Sequence, residues 1–185
     1  MATAKPLFCD DVTGELTEFG ASHEVGSPVS YGEVRNFTYL HESSYTFPGD
    51  VSPTTIDSSS SRAVLFGQPV RMNGVGYVSK ARADHLPLSG VIGLCALYRA
   101  GDGEQIAVQS RGVLQGSLKQ WASALDTGSN AGLEPGKRYY LDEATIGKLT
   151  LTPNTVVGGT IVSIGTAISS TELLIDTFRS RIRLA

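Results

Sequence analysis

Turn-forming residues punctuate this chain too often for long helices to form. Its 185 residues include 21 glycines and 8 prolines, and from Arg62 onward turn signals fall at short intervals between apolar runs. Asn73-Gly74 separates AVLFGQPVRM (63–72) from GYVSKARA (76–83), and Asn-Gly between two such runs is the strongest short-range signal for a β-hairpin. HLPLSG (85–90) turns the chain into VIGLCALY (91–98), and AGDGE (100–104) leads into QIAVQSRGVLQ (105–115). In that run Ile106 and Val108 alternate with Gln105, Ala107 and Gln109, the period of two expected of a strand with one buried face. RYYLD (138–142), KLTLT (148–152), TIVSIGTAI (160–168), TELLIDTF (171–178) and RIRL (181–184) follow as further short strands. The most regular stretch is GLEPGKRYYLDEATIGKLTLTP (132–153), with a Pro135-Gly136 turn, a strand, a second turn, a second strand and a proline stop.

One segment breaks this rhythm. In SLKQWASAL (117–125), Leu118, Trp121, Ala122 and Leu125 stand at helical spacing, with Ser117 as an N-cap. The spacing predicts a helix of two turns at most, with Trp121 plugging one end of a sheet or barrel. Many short strands and so little helix predict an all-β fold, a small β-barrel or β-sandwich with one short helix, and argue against βαβ layering.

The first third of the chain has a different texture. Residues 1–61 are polar and interrupted, and IDSSSSR (56–62) reads as a linker or loop. This predicts an extended N-terminal arm or open subdomain over 1–61 and a β body over 62–185. Only RNFTYLHESSYTF (35–47) has strand character there, with Phe37 and Tyr39 sharing one face and Tyr45 and Phe47 another. Seven aromatic residues of this part (Phe8, Phe19, Tyr31, Phe37, Tyr39, Tyr45, Phe47) exceed what a local core of that size can bury. They pack onto the β body or anchor the arm on another subunit, and Phe37, Tyr39, Tyr45 and Phe47 are the candidate contact residues. At the other end, FRSRIRLA (178–185) places Arg179, Arg181 and Arg183 on one face of an extended strand. Solvent, acidic neighbours or a partner's carboxylates must make that row tolerable.

Hydrophobic residues make up 41% of the chain and charged residues 18%, with a formal net charge of -3. That balance leaves no electrostatic footprint for nucleic acid or an anionic membrane. No apolar run approaches the roughly 20 residues of a membrane helix. MATAKPLFCDDVTG (1–14) has one lysine and no apolar stretch behind it, which predicts no secretory leader and synthesis inside the cell. Cys9 and Cys95, far apart in unlike sequence, read as two thiols rather than a disulfide.

The patterns that carry chemistry are incomplete. His23-Glu24 and His41-Glu42 do not extend to HExxH. Ser110, His85 and Asp84 lack a G-x-S-x-G elbow, NGVGYV (73–78) lacks the third glycine of a dinucleotide loop, and GDGE (101–104) has too few oxygen ligands for a calcium loop. The expectation is a protein without catalytic residues, cofactor or metal.

Three stretches carry a resemblance: GVLQGSLKQWASAL (112–125), GLEPGKRYYLDEATIGKLTLTPN (132–154) and GGTIVSIGTAISSTELLID (158–176). With VSKARADHLPLSGVIGLCALYRAGDGEQIAVQSRGVL (78–114) upstream, they resemble a module of tailed-bacteriophage virion proteins, most like capsid decoration (cement) proteins. Its landmarks here include Gly132, Pro135, Gly136, Tyr139, Leu141, Gly147, Leu149, Pro153, Gly165, Leu173 and Ile175. The resemblance implies a non-enzymatic virion protein, made in the host cytoplasm, that sits on the outer head surface. It implies as partners the major capsid protein and further copies of the chain, as a trimer, with no direct nucleic acid or membrane contact. Contacts repeated by symmetry would then oppose the pressure of packaged DNA. Similar modules in tail, baseplate and collar parts make that location the alternative. A carbohydrate-binding virion module is a third reading, weakened because Trp121, the one tryptophan, is expected to be buried.

Overall fold

The computed structural model describes residues 7–9, 16–18, 32–46, 49–57, 62–155, 157–176 and 181–183. Its strands are short, as the turn spacing requires. In chain order they are β1 (Leu7–Cys9), β2 (Leu16–Glu18), β3 (Val34–Tyr39), β4 (Ser44–Tyr45), β5 (Thr54–Thr55), β6 (Ala63–Leu65), β7 (Pro69–Met72), β8 (Tyr77–Lys80) and β9 (Val91–Cys95). There follow β10 (Arg99–Gly101), β11 (Gln105–Gln109), β12 (Arg111–Gln115), the helix α1 (Leu118–Ala124), β13 (Arg138–Leu141), β14 (Leu149–Thr150), β15 (Thr160–Ala167), β16 (Glu172–Asp176) and β17 (Arg181–Arg183). The fold is all-β with one short helix, as the sequence predicts.

Two sheets carry the body. Five strands in the order β11-β3-β8-β7-β9 form a ring that closes between β9 and β11. Only β3 and β8 run parallel in it. The second sheet runs β12-β16-β15-β13-β14, with β17 beside the first half of β15. The run 105–115, continuous in sequence, is divided between the two sheets at Ser110. The run 63–72 is likewise split, because the chain turns at Phe66-Gly67. Gly67 has φ +75°, and a Cβ there would lie 2.9 Å from the Trp121 ring, so only glycine lets the chain pass under that ring.

Two apolar cores follow from this layout. Tyr39, Val64, Val70, Val78, Cys95, Ala100, Ile106 and Val108 fill the ring. A larger core joins Phe66, Leu94, Leu114, Trp121, Tyr139, Leu141, Leu149, Ile164, Leu173 and Ile175 under the inner face of the second sheet. Ser117 caps α1 as its sequence implies, and Gln120 completes the box by accepting from the Ser117 N–H at 2.7 Å. Lys148 Nζ donates to the Ser123 and Leu125 carbonyls at the other end of the helix. Trp121 is buried and meets Phe66 edge to face at 5.3 Å.

The expected division at residue 61 does not separate the aromatic segment from the body. β3 pairs along five residues with β11 and along two with β8, so residues 34–39 are a wall of the ring. Residues 40–46 and 49–57 follow it, with Ile56 in a small core with Leu88 and Ile146. Of residues 1–31, β1 and β2 form an antiparallel pair with Leu7 opposite Glu18; the others lie outside the described residues.

Cys95 is a free, buried thiol whose pKa burial pushes up to about 11. At pH 8 only about one molecule in a thousand then carries the reactive thiolate. Peptide mapping after iodoacetamide treatment is expected to leave Cys95 unmodified in the native protein and fully alkylated after unfolding.

Candidate functional site

Several ionisable side chains of the described region are used inside the fold. Asp57 and Lys80 pair at 3.0 Å with both side chains buried, and His41 Nδ1 faces the same carboxylate at 3.7 Å. Arg71 on β7 pairs with Glu42 and lies over the Tyr45 ring, 5.7 Å from its centre. Burial raises the Glu42 carboxyl above its ordinary value, while Arg71 pulls the other way. These contacts fasten His41, Glu42, Tyr45 and Asp57 to β7 and β8. Elsewhere Ser110 Oγ donates to the Glu33 carbonyl, whereas His85 pairs with Asp84. Among the described residues no cluster of three or more His, Cys, Asp or Glu is placed to hold a metal, and no helix is long and apolar enough to cross a membrane.

Two outward features are more suited to contact. The first is a groove of about 500 Å³ lined from β3, β7, β9 and β11. Phe37, Met72, Val91, Ile92 and Val108 give it an apolar lining, and Glu33, Arg35 and Arg111 a charged rim. Glu33 pairs with Arg35 at 2.6 Å and approaches Arg111 at 3.9 Å.

The second is the outer face of the second sheet. Register aligns Val113 with Leu174, Leu174 with Thr166, and Thr166 with Arg138. Further along the same face Tyr140 stands opposite Ser163, and Ile161 opposite Ile182. Leu174 is 43% and Ile182 57% exposed, while Val113, Tyr140 and Ile161 are half-buried. Arg138 reaches across to donate to Ser163 Oγ at 3.1 Å. The face is thus apolar at both ends with a polar middle, and Arg111 stands opposite Asp176 beside it, in β12 and β16.

The sequence-predicted contact residues divide accordingly. Phe37 lines the groove. Tyr39 does not belong to a contact surface: it is 1% exposed in the ring core, because its neighbours on β8 and β11 come from residues far along the chain. Tyr45 packs half-buried against the small core and under Arg71. Phe47 and Arg179 lie outside the described residues. Arg181 and Arg183 stand at register positions opposite Val162 and Thr160, which are buried, and Ile182 between them is exposed.

The outer face was missed by attention to charge, yet a signal existed. TELLID and TIVS hold apolar residues at successive positions (Leu173-Leu174-Ile175, Ile161-Val162), so both faces of those strands are apolar where a half-solvated strand needs only one. No protein-family model matches the chain, and a search of curated proteins finds no match.

Proposed function

We propose that the protein is a non-catalytic structural subunit of a tailed-bacteriophage virion, a capsid decoration (cement) protein that binds the outer head surface. The observation that carries this reading is the outer face of the second sheet, where Val113, Tyr140, Ile161, Leu174 and Ile182 meet solvent together. Exposed apolar side chains gathered at the two ends of one face, with polar groups between them, suit a protein contact site. The resemblance of residues 112–176 to virion modules supports this class of assembly. Its landmark glycines stand where the backbone demands them. Gly132, Gly136 and Gly147 have φ near +75° (+77°, +77° and +73°), and a Cβ on Gly165 would meet the Leu174 carbonyl at 2.2 Å.

In this reading the partners are the major capsid protein and further copies of the chain, as a trimer. Burying a leucine or isoleucine stabilises a contact by roughly 1.5–3 kcal/mol before ordering costs. Three linked copies multiply such weak contacts, because after the first binds the others act at high effective concentration.

The test is a protein carrying both Leu174→Glu and Ile182→Glu. Both positions are already exposed, so unfolding stability is expected to stay within about 1 kcal/mol of the parent. Occupancy on purified phage heads is expected to fall at least about tenfold. Parental occupancy by the double variant would refute the assignment of this face, and retention on isolated tails instead of heads would move the protein to the tail or baseplate.

A further inference from the structure

We propose that Lys80 and Asp57 are an amide-forming pair, in which the Lys80 amine condenses with the Asp57 carboxyl to give an isopeptide cross-link inside the chain. The inference is independent of where the protein assembles. Lys80 Nζ lies 3.0 Å from Asp57 Oδ2, with side chains 7% and 5% exposed. The lysine stem runs beside Gly147, where a Cβ would meet Lys80 Cδ at 2.9 Å, so the missing side chain gives the stem its path. The third group is His41, 8% exposed, whose Nδ1 faces Asp57 Oδ2 at 3.7 Å. That nitrogen has no hydrogen-bond partner among the described residues. A buried polar atom without a partner is costly, and here it faces the oxygen that would have to leave.

The chemistry balances without any outside reagent. A proton passes from the Lys80 ammonium to the Asp57 carboxylate across the buried pair. The Nζ lone pair then attacks Cγ, and the carbonyl π electrons move onto oxygen to give a tetrahedral centre. His41 Nδ1 relays a second proton from the attacking nitrogen to Oδ2, after a small ring movement brings the two into hydrogen-bond reach. Oδ2 leaves as water while the C=O re-forms. One N–C bond is made and one C–O bond is broken, with no change of oxidation state. Amide formation is unfavourable between free groups in water. Holding amine and carboxyl in contact raises their effective concentration to about 10⁵ M or more, and exclusion of water opposes the reverse step.

The second buried ion pair of the same region is an internal contrast. Arg71 meets Glu42 as closely, but a guanidinium does not deprotonate under these conditions and is no nucleophile. Of the two pairs, only the lysine-containing one can close. The bond would fix Asp57 to β8 covalently, independently of the folding equilibrium.

Intact-mass measurement of the folded, then denatured, full chain tests this. The expected result is a mass one water below that of the sequence, with a branched peptide joining the Asp57 and Lys80 segments after proteolysis. The Lys80→Arg variant should restore the full mass and yield only linear peptides. His41→Ala should slow the loss of water at least about tenfold, the size of effect general acid–base groups supply. Full sequence mass in the parent, with linear Asp57 and Lys80 peptides recovered, would overturn the proposal. So would a water loss that maps to a succinimide at Asp102-Gly103.

Discussion

Replacing Trp121 with alanine is expected to lower the free energy of unfolding by about 3–5 kcal/mol, enough to unfold a marginal domain. Trp121 has no exposed surface, so the change empties a large space that the surrounding sheets cannot collapse to fill. Its ring also touches three parts of the fold at once. It meets Phe66 edge to face, it covers the Gly67 turn that divides β6 from β7, and its indole N–H donates to the Thr171 carbonyl before β16 at 2.9 Å. Trp121→Phe keeps most of the ring contacts and leaves that carbonyl without its donor, for a smaller loss of about 1–3 kcal/mol. Denaturant unfolding measures both. A loss below about 1 kcal/mol for Trp121→Ala would mean that this side chain does not join the ring to the second sheet.

The second large effect is at Arg71. Arg71→Ala removes the cation from a pair in which Arg71 is 5% and Glu42 17% exposed, and strips the Tyr45 ring of its cation contact. Leaving one partner of a buried pair uncompensated costs about 3–5 kcal/mol, with the lower end expected because Glu42 keeps some access to water. The sign of its pH dependence follows from Glu42. Burial raises its folded pKa above 4.5, and the variant loses the Arg71 contribution that opposes this. A carboxyl with a raised folded pKa contributes most below its unfolded pKa and loses that contribution as pH rises through the folded value. The deficit of Arg71→Ala relative to the parent is therefore expected to be largest at neutral pH and to shrink as pH falls toward 4.5. Replacing both partners with apolar residues (Arg71→Met with Glu42→Leu) should recover most of the loss. A pH-independent deficit, or no recovery in the double variant, would show that packing and not charge is what Arg71 supplies.

The fold class was legible because it rests on local signals. Asn73-Gly74 does turn the β7–β8 hairpin, with Asn73 N–H donating to the Tyr77 carbonyl, and Ser117 does cap α1. What the chain hides are pairings between distant residues. β3 looked like an isolated strand in a loose arm because its partner β11 lies some seventy residues on, Phe37 opposite Ile106. Leu118 fits the apolar stripe of α1, yet it is 40% exposed, since so short a helix buries little beyond Trp121 and Ala124. The pairs Glu42–Arg71 and Asp57–Lys80 leave no trace in sequence, because neither spacing is set by a local element. Phe37, picked out by its aromatic segment, lines the groove, whereas Leu174 and Ile182 stand in strands whose sequence points to buried partners and arginines.

The central claim is that this body exposes the outer face of its second sheet in order to dock within a virion. Cryo-imaging of the purified particle at side-chain resolution tests it most directly. The account predicts the chain on the outer head surface as a trimer, with Leu174 and Ile182 covered by a capsid subunit or a neighbouring copy. Particles that lack the chain, or a bound chain whose Leu174 and Ile182 remain facing solvent, would contradict it.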